Sequence, residues 1–236
     1  MRRSGNLGKS VISEKFLPDP SSLHLFRKNI LTWYDNYGRQ FPWRKKSATC
    51  YMVVIAEVLL QRTRAEVVSK FYREFIKEFP SWRKLSEASE SSLANFLRPI
   101  GLWRRRASSI NLLSKKMAQR HGRFPKSREE IEALPNVGQY IANAISLFCH
   151  GEPHPLIDIN MARVLERVFG PRKLADIRYD PYLQSLALAV VQCEQSKDIN
   201  WAILDLASTI CLPRKPRSNE CPVNSICLSA RGIKGT

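Results

Sequence analysis

The sequence predicts an all-α fold, on three observations. Apolar residues recur at the three- and four-residue spacing of an amphipathic helix over most of the chain. No segment sustains the alternation of a half-buried strand, and Pro, Gly or short polar turns separate the periodic stretches. Connections are short, so 236 residues, 44% of them hydrophobic, suit one compact body with a sizeable core better than independent domains on linkers.

Taken in order, residues 1–20 are polar, contain Gly and two prolines and lack periodicity, and they read as a disordered basic arm. "SSLHLFRKNILTWYDNY" sets Leu23, Phe26, Ile30 and Trp33 at helical spacing, with Ser21 or Ser22 as the cap. "FPWRKKSATC" breaks the pattern. From Tyr51 to Phe79 one side stays apolar, while Gln61, Arg62 and Thr63 interrupt the run as a junction between two helices. Within it, "YMVVIAEVLL" in isolation also fits a buried strand. Further helices are predicted over residues 81–88, 90–98, 104–120, 127–134, 139–150, 160–169, 181–195 and 198–210.

Lys and Arg number 38 against 21 Asp and Glu, a formal charge of +17. That balance favours a polyanionic partner, nucleic acid or an anionic membrane surface, over a charge that merely serves solubility or ribosome association. No apolar run reaches the length of a secretory core or a membrane span, so an intracellular protein with no membrane partner is expected. Six cysteines in a reducing compartment do not suggest a disulfide framework. Cys50, Cys149 and Cys193 stand apart, whereas Cys211, Cys221 and Cys227 crowd together and alone look like a site.

"SREEIEALPNVGQYIANAISLF" reads as helix, tight turn, helix. Pro135 stops the first helix, Asn136 and Gly138 tolerate positive φ, and Gln139 opens the second. Asn136, Val137, Gly138 and Gln139 then present successive backbone N–H groups at a helix N-terminus, a site for an anion and, beside so basic a surface, for a DNA phosphate. An ordinary αα-hairpin whose Gly only forms the turn is the alternative.

Two carboxylates stand out. Asp158 in "HPLIDINMARVLERVFG" precedes an amphipathic helix, where it is most simply an N-cap, with Asn160 a competitor for that place. Glu57 lies among apolar neighbours in "YMVVIAEVLLQRT", where burial is expected to raise its pKa and suit it to general acid work, or to pair it with an Arg.

From about Trp33 to Cys227, the sequence resembles the helix-hairpin-helix signature of base-excision DNA glycosylases, the HhH-GPD superfamily. The resemblance implies an all-α, two-lobed fold: a helical barrel over 47–152 with the hairpin near 128–150, and a second lobe of 21–46 with 153–236. It puts Asp158 on the position of the catalytic Asp, where a fixed anion stabilises the positive charge that builds on the sugar as the base departs and orients the attacking water. It also puts Glu57 in the base pocket, because "AEVLLQRT" looks like the "SEVMLQQT" segment of adenine glycosylases and the "TEILLRRT" segment of thymine mismatch glycosylases. Gln61 and Arg62 fall where the family inserts a wedge into the gap left by a flipped base. Members resembling endonuclease III carry a Lys at position 140, whose amine forms a Schiff base with the sugar. Tyr140 has no such amine, so the resemblance implies a monofunctional enzyme in which Tyr140 packs against or hydrogen-bonds the flipped nucleotide.

"CLPRKPRSNECPVNSIC" is similar to the family's C-x6-C-x2-C-x5-C iron–sulfur loop. Cys211, Cys221 and Cys227 match three ligand positions, but Ser218 occupies the fourth. Three readings follow: a [4Fe–4S] cluster with one ligand other than cysteine, a loop that has lost its cluster, or zinc. Lys215 and the loop's arginines reach phosphates in any of them, as do Arg104 and Arg105 of "GLWRRRASS" unless they only begin a solvated helix.

The expected function is removal of a mismatched thymine or uracil opposite guanine in double-stranded DNA, leaving an abasic site, by a monomer in the cytoplasm or at the nucleoid. It is what the resemblance implies, because "IGLWRRRA", "LLQRT" and the short length look more like thymine or uracil mismatch glycosylases than adenine glycosylases. Tyr140 and Asn160 also suit an adenine glycosylase acting opposite 8-oxoguanine or guanine. A helix-hairpin-helix protein that binds DNA structure without chemistry is the rival from another class.

Overall fold

The computed structural model describes residues 17–232. Among them every regular element is helical and no strand occurs. The eleven α-helices are α1 (Pro20–Tyr37), α2 (Cys50–Leu60), α3 (Ala65–Glu78), α4 (Trp82–Ser86), α5 (Glu90–Leu97), α6 (Trp103–Gln119), α7 (Arg128–Glu132), α8 (Gln139–Ile145), α9 (Ile159–Phe169), α10 (Pro181–Val191) and α11 (Ser196–Thr209). A π turn, Ser146–His150, continues α8. Among the described residues no helix is long and apolar enough to cross a membrane.

The chain divides into two compact units. One comprises residues 37–156 with 191–200; the other takes 17–36, 157–190 and 201–232 of the described residues. In the first, α2 is apolar all round, which is the signature of a helix buried on every side. Its eleven residues exceed a typical buried strand, and Thr49 caps it by accepting from the Met52 N–H, so the helix prevails where the sequence also allowed a strand. Ser81, Ser89 and Ser127 cap α4, α5 and α7 in the same way. Val54, Ile55, Leu59, Phe75, Leu97 and Ile110 anchor the core of this unit.

In the other unit Phe26 and Phe169 meet with ring centroids 5.3 Å apart. Arg27 Nε donates to the Val190 carbonyl at 2.9 Å, joining α1 to α10. The basic arm expected over residues 1–20 lies outside the described residues as far as residue 16. Its end is ordered: Asp19, not Ser21 or Ser22, caps α1, accepting from the Ser22 N–H at 3.0 Å and the Ser22 hydroxyl at 2.7 Å, while its carbonyl accepts from the Leu23 N–H. A carboxylate at this place satisfies several donors at once and meets the positive end of the helix, which a hydroxyl does less well. Helix α10 ends at Val191, four residues short of the expected 195, where the Cys193 N–H turns back to the Val191 carbonyl.

Candidate active site

The hairpin is built as the sequence implies, with its roles redistributed. Asn136 takes the left-handed conformation, φ +59°, whereas Gly138 is extended, φ −89° and ψ 179°, and serves as the N-cap of α8. A Cβ on Gly138 would meet nothing within 4 Å, so neither backbone conformation nor packing calls for glycine there. Val137 does not offer its amide outward: that N–H donates to the Leu134 carbonyl at 3.2 Å, and the side chain is buried in the core. Gln139 opens α8, half-buried. Arg128 Nη1 on α7 donates to Asn143 Oδ1 on α8 at 2.7 Å, and Asn143 Nδ2 donates to the Pro155 carbonyl at 2.7 Å, which fixes the angle of the hairpin.

Within the same unit α8 packs against α2, and there the two predicted pocket residues meet. Tyr140 donates its phenolic hydrogen to Glu57 Oε2 at 2.9 Å. Glu57 is only 3% exposed, so the bond answers the main objection to a carboxylate among valines and leucines.

Gln61 and Arg62 are exposed at the end of α2 and line a pocket of about 230 Å³ with Leu102, Arg105 and Asn136. Among the described residues four besides glycine have positive φ, and three of them, Arg62 at +59°, Leu102 at +51° and Asn136, border this pocket. Backbone strain concentrated at one place marks a site whose surroundings enforce it. Leu102 is the functional candidate that the sequence reading missed: a large apolar side chain, 52% exposed, raised at the entry to α6. Its signal was a leucine directly after Gly101 and ahead of a basic helix. Arg104 lies over the Trp103 ring, 4.5 Å from its centroid, and Arg105 is exposed at the pocket. The third arginine, Arg106, is buried, and its Nη2 braces the turn after α2 by donating to the Gln61 carbonyl at 2.9 Å and to Thr63 Oγ1 at 3.0 Å.

Asp158, in the other unit, is the N-cap of α9 as the simplest reading had it. Its Oδ1 accepts from the amides of Asn160 at 2.9 Å and Met161 at 2.8 Å, and its Oδ2 from Asn160 Nδ2 at 2.6 Å. Arg163 Nη2 in turn donates to Asn160 Oδ1 at 3.1 Å. The carboxylate is half-buried and held in one orientation, which capping requires and which a catalytic anion would use equally well.

Cys211, Cys221, Cys227 and Ser218 line a cavity of about 30 Å³. Burial pushes the Cys221 thiol up to about 11, and the neighbouring sulfurs of Cys211 and Cys227 add to this. Arg167 holds the loop: Nη1 donates to Cys211 Sγ at 3.3 Å and to the Leu212 carbonyl at 2.7 Å, Nη2 donates to the Pro213 carbonyl at 2.8 Å, and the Arg167 carbonyl accepts from Cys227 Sγ at 3.2 Å. Arg163 Nε adds a bond to the Cys211 carbonyl at 2.9 Å. Among the described residues no three His, Cys, Asp or Glu side chains are grouped to hold a metal ion. Three sulfurs, two of them hydrogen-bonded to Arg167, and a serine do not fit the four-thiolate donor set of a [4Fe–4S] cluster. Lys215 is exposed at the tip of this loop.

Residues 55–179 match the HhH-GPD superfamily base excision DNA repair proteins. A thymine-DNA glycosylase of Aeropyrum pernix is 37% identical over 89% of this chain and 96% of its own length. A thymine/uracil-DNA glycosylase of Pyrobaculum aerophilum is 35% identical over 86% of this chain and 90% of its own. Among solved structures, a thermostable thymine-DNA glycosylase superposes with a TM-score of 0.82 at 30% identity, covering 90% of this chain and 98% of that one. Hairpin, buried Glu, Asp-capped helix and these likenesses agree: the chain belongs to the HhH-GPD superfamily of base excision DNA repair proteins.

Proposed function

We propose that this protein is a monofunctional DNA glycosylase that removes thymine or uracil mispaired with guanine by hydrolysis, leaving an abasic site. The observation that carries the reading is the Tyr140–Glu57 hydrogen bond, which puts a phenol bonded to a buried carboxylate at the position where a lyase needs an amine. The thymine and uracil specificity of the relatives, matched over nearly their whole length, supports the substrate.

Each part has a task. The hairpin takes the DNA backbone at Gly138, where an absent side chain lets a phosphate approach, and Lys215, Arg104 and Arg105 add charge for the duplex. Leu102, Gln61 and Arg62 enter the gap left by the flipped nucleotide, an apolar wedge beside polar groups that face the base left behind. Glu57, oriented by Tyr140, hydrogen-bonds the flipped base and steadies it as its bond to the sugar lengthens. Asp158 stabilises the cationic sugar and directs water to it; the water oxygen bonds to the sugar carbon, and the base leaves with a proton. The cysteine loop does its structural work without a cluster, through Arg163 and Arg167.

The test is a panel of duplexes carrying G:T, G:U, or adenine opposite 8-oxoguanine or guanine, with the freed base identified by chromatography. Free thymine and uracil from the guanine mismatches are expected. Free adenine alone would reassign the substrate, and binding with no base released from any duplex would make the protein a non-catalytic binder.

A further inference from the structure

Cys50 and Cys149, far apart in sequence, come together in the unit of residues 37–156. Cys50 is the first residue of α2, and its Sγ donates to the carbonyl of Phe148, the neighbour of Cys149 in the π turn, at 3.8 Å. Helix α2 packs against the π turn that carries Cys149, and Cys149, with His150 and Lys197 nearby, brings the Cys50 thiol down to about 7 against the pull of burial, while the Cys149 thiol is pushed up. A helix N-terminus favours a thiolate in the same sense. Both residues are half-buried and within reach of a small reagent.

We propose that Cys50 and Cys149 form a thiol oxidation site that closes to a disulfide by exchange with a low-molecular-weight disulfide of the glutathione class. The Cys50 thiolate attacks one sulfur of the reagent, forming a mixed disulfide and releasing one reagent thiolate. Cys149 then gives up its proton and attacks Cys50 Sγ, so that the second reagent thiolate leaves. The protein loses two hydrogens as two electrons, which reduce the reagent's S–S bond, and two protons, which its two thiolates take up. Cys50 and Glu57 are seven residues apart on one face of α2, and the π turn prolongs the helix that carries Tyr140. The bridge therefore ties α2 to the end of α8 along the interface where Tyr140 meets Glu57.

The full-length protein is incubated with glutathione disulfide, its remaining thiols are alkylated, and it is digested without reduction for mass mapping. The expected product is a peptide pair joined through Cys50 and Cys149, lighter by two hydrogens than the two reduced peptides. A rise in Tm of roughly 5–15 °C is expected with it, reversed by dithiothreitol. Glutathione held on Cys50 with Cys149 alkylated, or both residues alkylated as in the untreated protein, overturns the proposal. Cys50→Ser and Cys149→Ser are each expected to remove the Tm response to the oxidant; a response kept in either would assign it to another pair.

Discussion

Tyr140 on α8 and Glu57 on α2 share a hydrogen bond of 2.9 Å, so the phenol that the proposed mechanism puts in place of a lyase's amine also orients the buried carboxylate proposed to hold the base. Removing the phenol with Tyr140→Phe takes a donor from a buried acid and is expected to cost about 1–3 kcal/mol, read as a lower Tm. Glu57→Gln keeps an acceptor for the phenol and should hold stability within about 1 kcal/mol, while base release in single turnovers falls roughly 10²-fold or more. A Glu57→Gln enzyme as fast as the parent would remove Glu57 from the chemistry.

Gly138 needs glycine neither for its φ nor for packing, and as an N-cap it is exchangeable with Asn, so the proposed approach of a phosphate is what a side chain there would disturb. Gly138→Asn, which keeps a good N-cap, should leave the Tm nearly unchanged and weaken duplex binding severalfold in a titration. Lys215→Ala should reduce the slope of log affinity against log salt by about 0.9, the mark of one lost phosphate contact. An unaltered affinity in Gly138→Asn would show that DNA does not come close to the hairpin there.

Protein prepared without air, from iron-replete cells, is expected to contain no stoichiometric iron and no visible absorption band, because Ser218 leaves only three thiolates and Arg167 already holds the loop. Arg167→Ala should then loosen the 211–227 loop, read as faster amide exchange there and a loss of about 2–4 kcal/mol from three broken charge-assisted bonds. Four irons per chain in the parent protein would contradict this.

Asp180 is fully buried and accepts three amide hydrogens, from Leu183 at 2.7 Å, Leu174 at 2.7 Å and Lys173 at 2.8 Å. Burial opposes its charge, but these bonds, with Arg172 beyond them, outweigh it and lower its pKa. A folded-state pKa below the unfolded one gives stability that is complete above the ordinary carboxylate value of about 4 and is lost as pH falls below it. Asp180→Asn should therefore melt lower than the parent at pH 7, by about 1–3 kcal/mol, with the gap closing towards pH 3. A gap independent of pH would assign the effect to packing.

What the sequence disclosed follows from what is local. The polar run Gln61-Arg62-Thr63 marked the α2–α3 junction because three hydrophilic residues cannot continue a buried helix. Which residue of the hairpin uses positive φ was not legible, since Asn136 and Gly138 both tolerate it and only the path of the chain selects Asn136. Arg106 continues the basic run of Arg104 and Arg105. Its register with Ile110, Leu113 and Met117 placed it on the buried face, but its partners at residues 61 and 63 come from tertiary packing. Cys50 near Cys149 and Glu57 beside Tyr140 are likewise products of the fold; the family resemblance singled out Glu57 and Tyr140 but not the bond between them.

Asp158 caps α9 and, in the proposed mechanism, also stabilises the cationic sugar, and one comparison separates the two roles. Asn caps a helix about as well as Asp, whereas Ala costs about 1 kcal/mol, so Asp158→Asn should keep the parent's Tm and Asp158→Ala should not. The decisive measurement is single-turnover release of thymine from a G:T duplex by the parent and by Asp158→Asn at saturating, equal occupancy of the DNA. Strand breaks should arise only after alkali, with no adduct trapped by borohydride, and the Asn variant should be slower by roughly 10²–10³-fold. An Asn variant as fast as the parent, or breaks that form without alkali, would contradict the account.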